Sequence, residues 1–116
     1  MSTSLDVMTE KNFKNLMTQY TSNYIEEPIE LIEKLSQHYT CFSGNINRLY
    51  DVVYEGEQII NDFSKEENLT IFKLSKEKII NIINKSNNSS LIEKWEYIME
   101  SFDDCNSNDI LYFIFD

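Results

Sequence analysis

The sequence predicts an all-α fold: a compact bundle of five or six helices forming a single domain over residues 1–116, with residues 1–8 expected to be flexible. Apolar residues recur at spacings of three and four over most of the chain, which is the period of a helix with one buried face. Capping residues precede several of these segments. The chain shows neither an internal repeat nor a linker, so the helices are expected to share one core.

The first two helices are predicted from their caps and apolar faces. One helix runs from Glu10 to about Asn23, with Thr9 as its cap. A second begins at Pro28, because proline favours the first helical position and acidic residues precede it. Gly44 is its predicted end.

The strongest helical pattern lies over residues 46–63, where the apolar positions alternate spacings of three and four. Gly56 lies on this apolar seam. It is expected to let another helix approach closely, although it costs about 1 kcal/mol relative to Ala.

In the second half of the chain, the sequence leaves two segments undecided between helix and strand. A capping box at Ser64–Glu67 favours a helix over residues 65–85, and the alternative is a strand over 69–74 followed by a shorter helix capped by Ser75. After a loop at 86–89, a further capping box begins another helix at Ser90. The last segment, 110–115, is predicted to be either a short buried helix or a strand.

Charge is the most informative feature for function. The chain has 20 acidic and 10 basic residues, a formal charge of −10, while 41% hydrophobic and 13% aromatic residues exclude a disordered chain. A surface with this excess of negative charge favours basic partners and repels nucleic acid and anionic membranes. The one basic stretch, which holds four lysines between residues 73 and 85, is expected to pair internally with the acidic helices.

The acidic residues fall in two helical stripes with tyrosines beside them, one near residues 50–62 and one near 93–103. Tyrosine is an efficient interface residue, and neighbouring carboxylates can pair with Arg or Lys. Plain solubility is the competing interpretation. The predicted partner-binding residues are Tyr50, Asp51, Tyr54, Glu55, Gln58, Asp62, Glu93, Glu96, Tyr97, Glu100 and Asp103.

The sequence gives little support for a metal site or a catalytic site. His38 and Cys41 have the i, i+3 spacing of a helical ligand pair, and Cys105 could join them, but a single histidine without a Cys-x-x-Cys pair predicts neither a metal site nor a catalytic centre. No catalytic residue, cofactor or metal is therefore predicted. The two cysteines are expected to be free thiols in a reducing cytoplasm, with one disulfide as the alternative. No secretory signal or membrane span is predicted.

In size, charge, helical pattern and a residue usage typical of AT-rich genomes, the chain resembles bacterial immunity proteins and antitoxins. That resemblance implies a non-enzymatic protein that binds a basic partner, a nuclease-type toxin domain, and covers its active site. Two alternatives remain open. One is a phage or viral inhibitor of host defence that mimics nucleic acid, and the other is a helical adaptor that binds an amphipathic helix.

Overall fold

The computed structural model describes residues 3–22, 28–41 and 53–115, and it shows that the predicted all-α class is wrong. The described residues form an α+β fold in which five antiparallel strands make one sheet and five helices cover it. The strands are β1 (Thr3–Thr9), β2 (Gln37–Cys41), β3 (Glu57–Ile59), β4 (Thr70–Ser75) and β5 (Ile110–Phe115). The helices are α1 (Glu10–Ser22), α2 (Pro28–Leu35), α3 (Asp62–Glu66), α4 (Lys76–Lys85) and α5 (Ser89–Glu100).

The sheet has the order β2-β1-β5-β4-β3, so its central strand is the last one in the sequence. β5 pairs with β1 on one side, where Val7 lies opposite Phe113, and with β4 on the other, where Phe72 lies opposite the same phenylalanine. Residues 1–8, expected to be flexible, include most of β1. Both neighbours of β5 are thus strands distant from it in sequence.

Helices cover both faces of the sheet and divide the molecule into three layers. Alternate residues of each strand point to opposite faces. On one face α4 and α5 pack over side chains that include Leu5, Phe72 and Phe113. On the other, α1, α2 and α3 pack over side chains that include Met8 and Ile114. These two sets of helices are named here the α4–α5 layer and the α1–α3 layer.

Burial on both faces explains why the strands resembled helices in the sequence. All five residues from Leu111 to Phe115 are buried, so β5 lacks the apolar–polar alternation of a half-exposed strand. In β4, Ile71, Phe72 and Leu74 are buried on two different faces. The strand alternatives at 69–74 and 110–115 are therefore confirmed, and the favoured helix over 65–85 is wrong.

The predicted helix over 46–63 is also wrong where the structure describes it. Residues 46–52 lie outside the described residues. From Val53 onward the chain forms a turn, then β3, then α3. Ile60 lies on the predicted apolar seam but is 65% exposed. The regular spacing came from residues that belong to separate elements.

The first two predicted helices are confirmed, with one corrected end, and the helix predicted from Ser90 is present as α5. α1 begins at Glu10, and the Asn12 amide donates to Thr9 Oγ1 at 3.3 Å, as expected for a cap. α2 begins at Pro28 but ends at Leu35, well before Gly44, because the chain then enters β2.

The observed caps differ from the predicted capping boxes. The capping box of α3 joins Asn61 and Ser64 rather than residues 64 and 67. Asn88, and not Ser90, caps α5 by accepting from the Leu91 amide at 3.1 Å. Ser75 caps α4, as the strand alternative required.

Within the described ranges, no helix combines the length and apolar character that crossing a bilayer requires.

We expect Gly56→Ala to destabilise the protein by about 1–3 kcal/mol, because there is no room for a methyl group. A Cβ on Gly56 would lie 2.4 Å from Leu74 Cδ1 and 2.5 Å from the Lys73 carbonyl oxygen, which is backbone and cannot move aside. Urea unfolding of this variant measures the loss. Gln58→Ala, at an exposed neighbouring position, is the control, and an equal stability of both variants would contradict the predicted clash.

Candidate functional site

A shallow groove of about 610 Å³ runs between α4 and α5 on the outside of the α4–α5 layer. It brings together the complete second stripe of predicted partner-binding residues. It is named here the α4–α5 groove, and its lining residues are Lys76, Ile80, Glu93, Glu96, Tyr97, Met99, Glu100 and Asp103.

The helical period of α5 positions these side chains. Trp95 and Ile98 turn towards the sheet and are buried, with the Trp95 ring edge-on to Phe113 at a centroid separation of 5.6 Å. Residues on the opposite side of the helix face the groove. The Trp95 Nε1–H group is buried and has no hydrogen-bond partner among the described residues, so packing is the contribution of this side chain that the structure shows.

Tyr97 is the most exposed large apolar side chain of the groove, with 67% of its surface accessible. Its ring packs edge-to-face against Tyr39 of β2, with centroids 6.0 Å apart. The Tyr39 hydroxyl lies 3.2 Å from Ser101 Oγ. Ile80, 37% exposed, adds apolar surface on the α4 side of the groove. The groove therefore has an exposed apolar surface, and the contact with Tyr39 holds the Tyr97 ring in position.

The groove is negatively charged, because four carboxylates line it against one ammonium group. That ammonium, Lys76 Nζ, donates to the carbonyl oxygens of Phe102 and Cys105, each at 2.9 Å. Lys76 thereby ties the segment after α5 to the start of α4. This contact sets the position of Asp103 at one end of the groove.

The first predicted stripe does not form a single surface. Tyr50 and Asp51 lie outside the described residues. Tyr54 and Glu55 are exposed on the turn before β3, beside α4. Gln58 is exposed on β3 itself.

Asp62 begins α3 and therefore belongs to the opposite, α1–α3 layer. The row depended on a continuous helix over residues 46–63, and the turn and strand within that range separate its members.

One polar cluster lies outside the predicted site. Asp6 of β1 is only 3% exposed, and its Oδ1 accepts from Ser36 Oγ at 3.0 Å and lies 2.8 Å from His38 Nδ1. Glu33 of α2 lies 4.0 Å from the same ring nitrogen. A proton on Nδ1 that is donated to Asp6 leaves Nε2 as the acceptor of the neutral ring. Ser36 joins α2 to β2, so the buried carboxylate ties this corner to the sheet.

The sequence could not identify this cluster, because Asp6 and His38 are 32 residues apart and meet only through β-pairing. His38 belongs to a strand, so the helical i, i+3 spacing that suggested a pair with residue 41 does not exist. Within the described residues, no group of three or more His, Cys, Asp or Glu side chains is arranged to hold a metal ion.

Cys105 carries a free thiol, so the alternative of an intrachain disulfide is not realised. Burial raises the pKa of this thiol above its ordinary value, and nearby Asp109 acts in the same direction. A raised pKa lowers the thiolate fraction at neutral pH, which makes Cys105 a poor nucleophile.

We expect the stability difference between the native protein and Asp6→Asn to change with pH. Burial raises the pKa of Asp6 above 3.8, although the hydrogen bonds from His38 and Ser36 oppose this. The folded state therefore binds this proton more tightly than the unfolded state, and that contribution is complete below pH 3.8 and lost as the pH rises through the folded value.

The advantage of the native protein over Asp6→Asn should accordingly shrink as the pH rises from 3.8. Urea unfolding at a series of pH values measures it, with Asp104→Asn at an exposed position as the control for loss of one carboxylate. An advantage that grows with pH in this range would show that the Asp6 pKa is lowered instead.

We expect Lys76→Met to destabilise the protein by about 1–3 kcal/mol, because two carbonyl groups lose their donor. Amide exchange over residues 103–106 should accelerate, since two of the hydrogen bonds that join this segment to α4 are lost. The backbone amides of Lys76 and Glu77 still donate to the carbonyl oxygens of Asp109 and Ser107. Lys85→Met, at an exposed position of the same helix, is the control. Unchanged exchange in the Lys76 variant would mean that the segment is held without the ammonium group.

No family model, curated protein or solved structure matches this chain.

Proposed function

We propose that this protein binds a basic partner protein through the α4–α5 groove. The single observation that supports it is the exposed ring of Tyr97 in a groove with four carboxylates. A tyrosine supplies contact area and a hydroxyl group at low entropic cost, and the carboxylates provide partners for Arg and Lys. A cationic ring-stacking group such as guanidinium fits both features.

The mechanism is steric exclusion assisted by charge. A formal charge of −10 accelerates encounter with a cationic surface, and this steering weakens as salt is added. Once docked, the α4–α5 layer covers the cationic surface and keeps out its substrate. The proposed partner is a nuclease-type toxin domain, whose active-site groove must be basic to bind RNA or DNA, and the protein is then its immunity protein or antitoxin.

The groove is suited to a macromolecule rather than to a small substrate. It is open to solvent, and its carboxylates lie at exposed positions of α5 and of the turn after it, without a catalytic arrangement among the described residues. Ile80 and Tyr97 also leave open an adaptor that binds an amphipathic helix. Such binding would be carried by apolar contact and would respond little to salt.

We expect Glu93→Gln, Glu96→Gln and Glu100→Gln combined to weaken binding of an octa-arginine probe about tenfold at low salt. Each exposed ion pair contributes about 0.2–1 kcal/mol, and three together approach the 1.4 kcal/mol that corresponds to a factor of ten. Calorimetric titration measures the loss, and rising salt should reduce native binding to the level of the variant.

The matched control removes three carboxylates from the opposite layer: Glu10→Gln, Glu30→Gln and Asp62→Asn. An equal loss of affinity in this variant would show that net charge, and not the groove, attracts the probe. Basic proteins captured from the native host can then replace octa-arginine, and they should lose affinity for the same groove variant.

We expect Tyr97→Ala to weaken binding of a captured basic protein by more than about 1 kcal/mol, since an exposed aromatic ring at the centre of an interface dominates its energy. Because the ring is 67% exposed, the fold should remain intact. Ile60→Ala, which removes an apolar side chain that is 65% exposed next to the start of α3, is the control. Equal effects of the two substitutions would refute the groove as the contact centre.

A further inference from the structure

A second groove lies on the other side of α4. Ile79 and Ile83 form the buried face of α4, which packs on the sheet. The two flanks of the helix on either side of this face therefore carry different residues. One flank, with Lys76 and Ile80, lines the α4–α5 groove. The other borders a groove of about 400 Å³, named here the lysine groove. Its lining residues are Glu55, Lys78, Asn81, Ile82, Lys85 and Ser86.

Among the described residues, the two lysines of this groove have no carboxylate partner. Lys78 Nζ donates to the Glu55 carbonyl oxygen at 3.0 Å, and among the described residues no carboxylate lies within 4 Å of Lys78 or Lys85. Among the described lysines, Lys14 and Lys73 do have such partners, as Lys73 does in Glu57 at 3.0 Å. The lysine-rich stretch is predicted to pair internally with the acidic helices, but of its four lysines only Lys73 pairs with a carboxylate among the described residues, and that carboxylate belongs to β3.

Lys78 and Lys85 stand two turns apart on one flank of α4, which corresponds to about 10 Å along the helix. The Asn81 carboxamide and the Ser86 hydroxyl lie between and beside them in the groove. Two ammonium groups with additional donors match a segment that carries two or more carboxylates. Glu55 is the one acidic residue that lines this groove, and two lysines outnumber it, so the net charge of the groove is opposite in sign to that of the α4–α5 groove.

Both grooves flank the same helix and open on the same side of the sheet. Their separation is about one helix diameter, roughly 10 Å. A partner of ordinary interface size, burying about 800 Å² on each side, would cover both. A purely basic surface would then contact Lys78 and Lys85, and the repulsion of like charges across the interface would disfavour that partner.

We propose that the lysine groove binds an acidic segment of the same partner protein, so that docking joins two patches of opposite sign. This inference rests on the proposed function, since it concerns the same partner. The carboxylates of the α4–α5 groove attract the basic surface, and the lysines fix its orientation. A partner that is basic throughout is rejected by the lysine groove.

The first test uses the lysine groove alone. Hexaglutamate added to ¹⁵N-labelled protein at low salt should shift the amide signals of residues 78–86, and Lys78→Gln with Lys85→Gln should abolish these shifts. The control, Lys11→Gln with Lys34→Gln, removes two exposed lysines from the α1–α3 layer and should leave them unchanged. Absence of shifts, or equal loss in both variants, would overturn the proposal.

Lys85→Gln alone guards against a folding artefact, because Lys78 also bonds to the turn at Glu55 whereas Lys85 has no such bond among the described contacts. It should reduce the shifts without disturbing the turn. A DNA oligonucleotide of equal charge is the competing probe. Stronger shifts with DNA than with hexaglutamate would indicate a phosphate-binding groove and overturn the assignment to an acidic protein segment.

The second test uses one peptide that can contact both grooves. A peptide with six arginines, a four-residue Gly/Ser spacer that reaches about 13 Å, and three glutamates should bind about three- to tenfold more tightly than a scrambled peptide of the same composition. The lysine-groove double variant should lose this difference. If the scrambled peptide binds equally well to the native protein, the two-signed docking is wrong.

The outcomes separate this inference from the proposed function. If octa-arginine fails to bind the α4–α5 groove while hexaglutamate shifts the lysine groove, the proposed function fails and the lysine groove remains an acidic-segment site without its basic counterpart. If octa-arginine binds and hexaglutamate does not, the proposed function stands and the lysine groove is refuted as a contact.

Discussion

Burial of β5 on both of its faces is the constraint on which the rest of the structure depends. Leu111, Phe113 and Phe115 contribute to the core beneath the α4–α5 layer, while Tyr112 and Ile114 contribute to the core beneath the α1–α3 layer. One six-residue strand therefore joins two apolar cores. Because β1 and β4 pair with its two edges, every other strand and helix takes its position from this centre.

The candidate site follows from that arrangement. Trp95 packs against Phe113 and fixes the rotation of α5 about its own axis, which turns the carboxylates and Tyr97 outward. Lys76 then joins the end of α5 to the start of α4 through two carbonyl groups. The groove is thus built on packed helices, and a surface held in this way loses little conformational entropy when a partner docks.

Positive and negative side chains are unevenly distributed over the surface, which the composition alone does not show. Both layers carry exposed carboxylates, but on the α4–α5 layer they lie beside an exposed tyrosine in a groove. Lys78 and Lys85, which have no carboxylate within 4 Å among the described residues, lie across α4 from them. A surface with adjacent patches of opposite sign can select the orientation of a partner as well as its charge. The buried Asp6, by contrast, joins α2 and β2 to the sheet, and it faces His38 rather than the groove.

The sequence by itself determined the features that depend on local chemistry. The cap at Thr9, the first helical position at Pro28 and the outward side of α5 from Glu93 to Glu100 could all be predicted, because a cap or a helical face involves residues only a few positions apart. Total charge is likewise a property of composition.

Only the tertiary structure decided that residues 70–75 and 110–115 are strands, because a strand buried on both faces has the same apolar run as a buried helix. It alone placed Asp62 on the layer opposite Glu55 and brought His38 to Asp6. Contacts of this kind depend on strand pairing between distant segments, and the periodicity of a single segment carries no information about them.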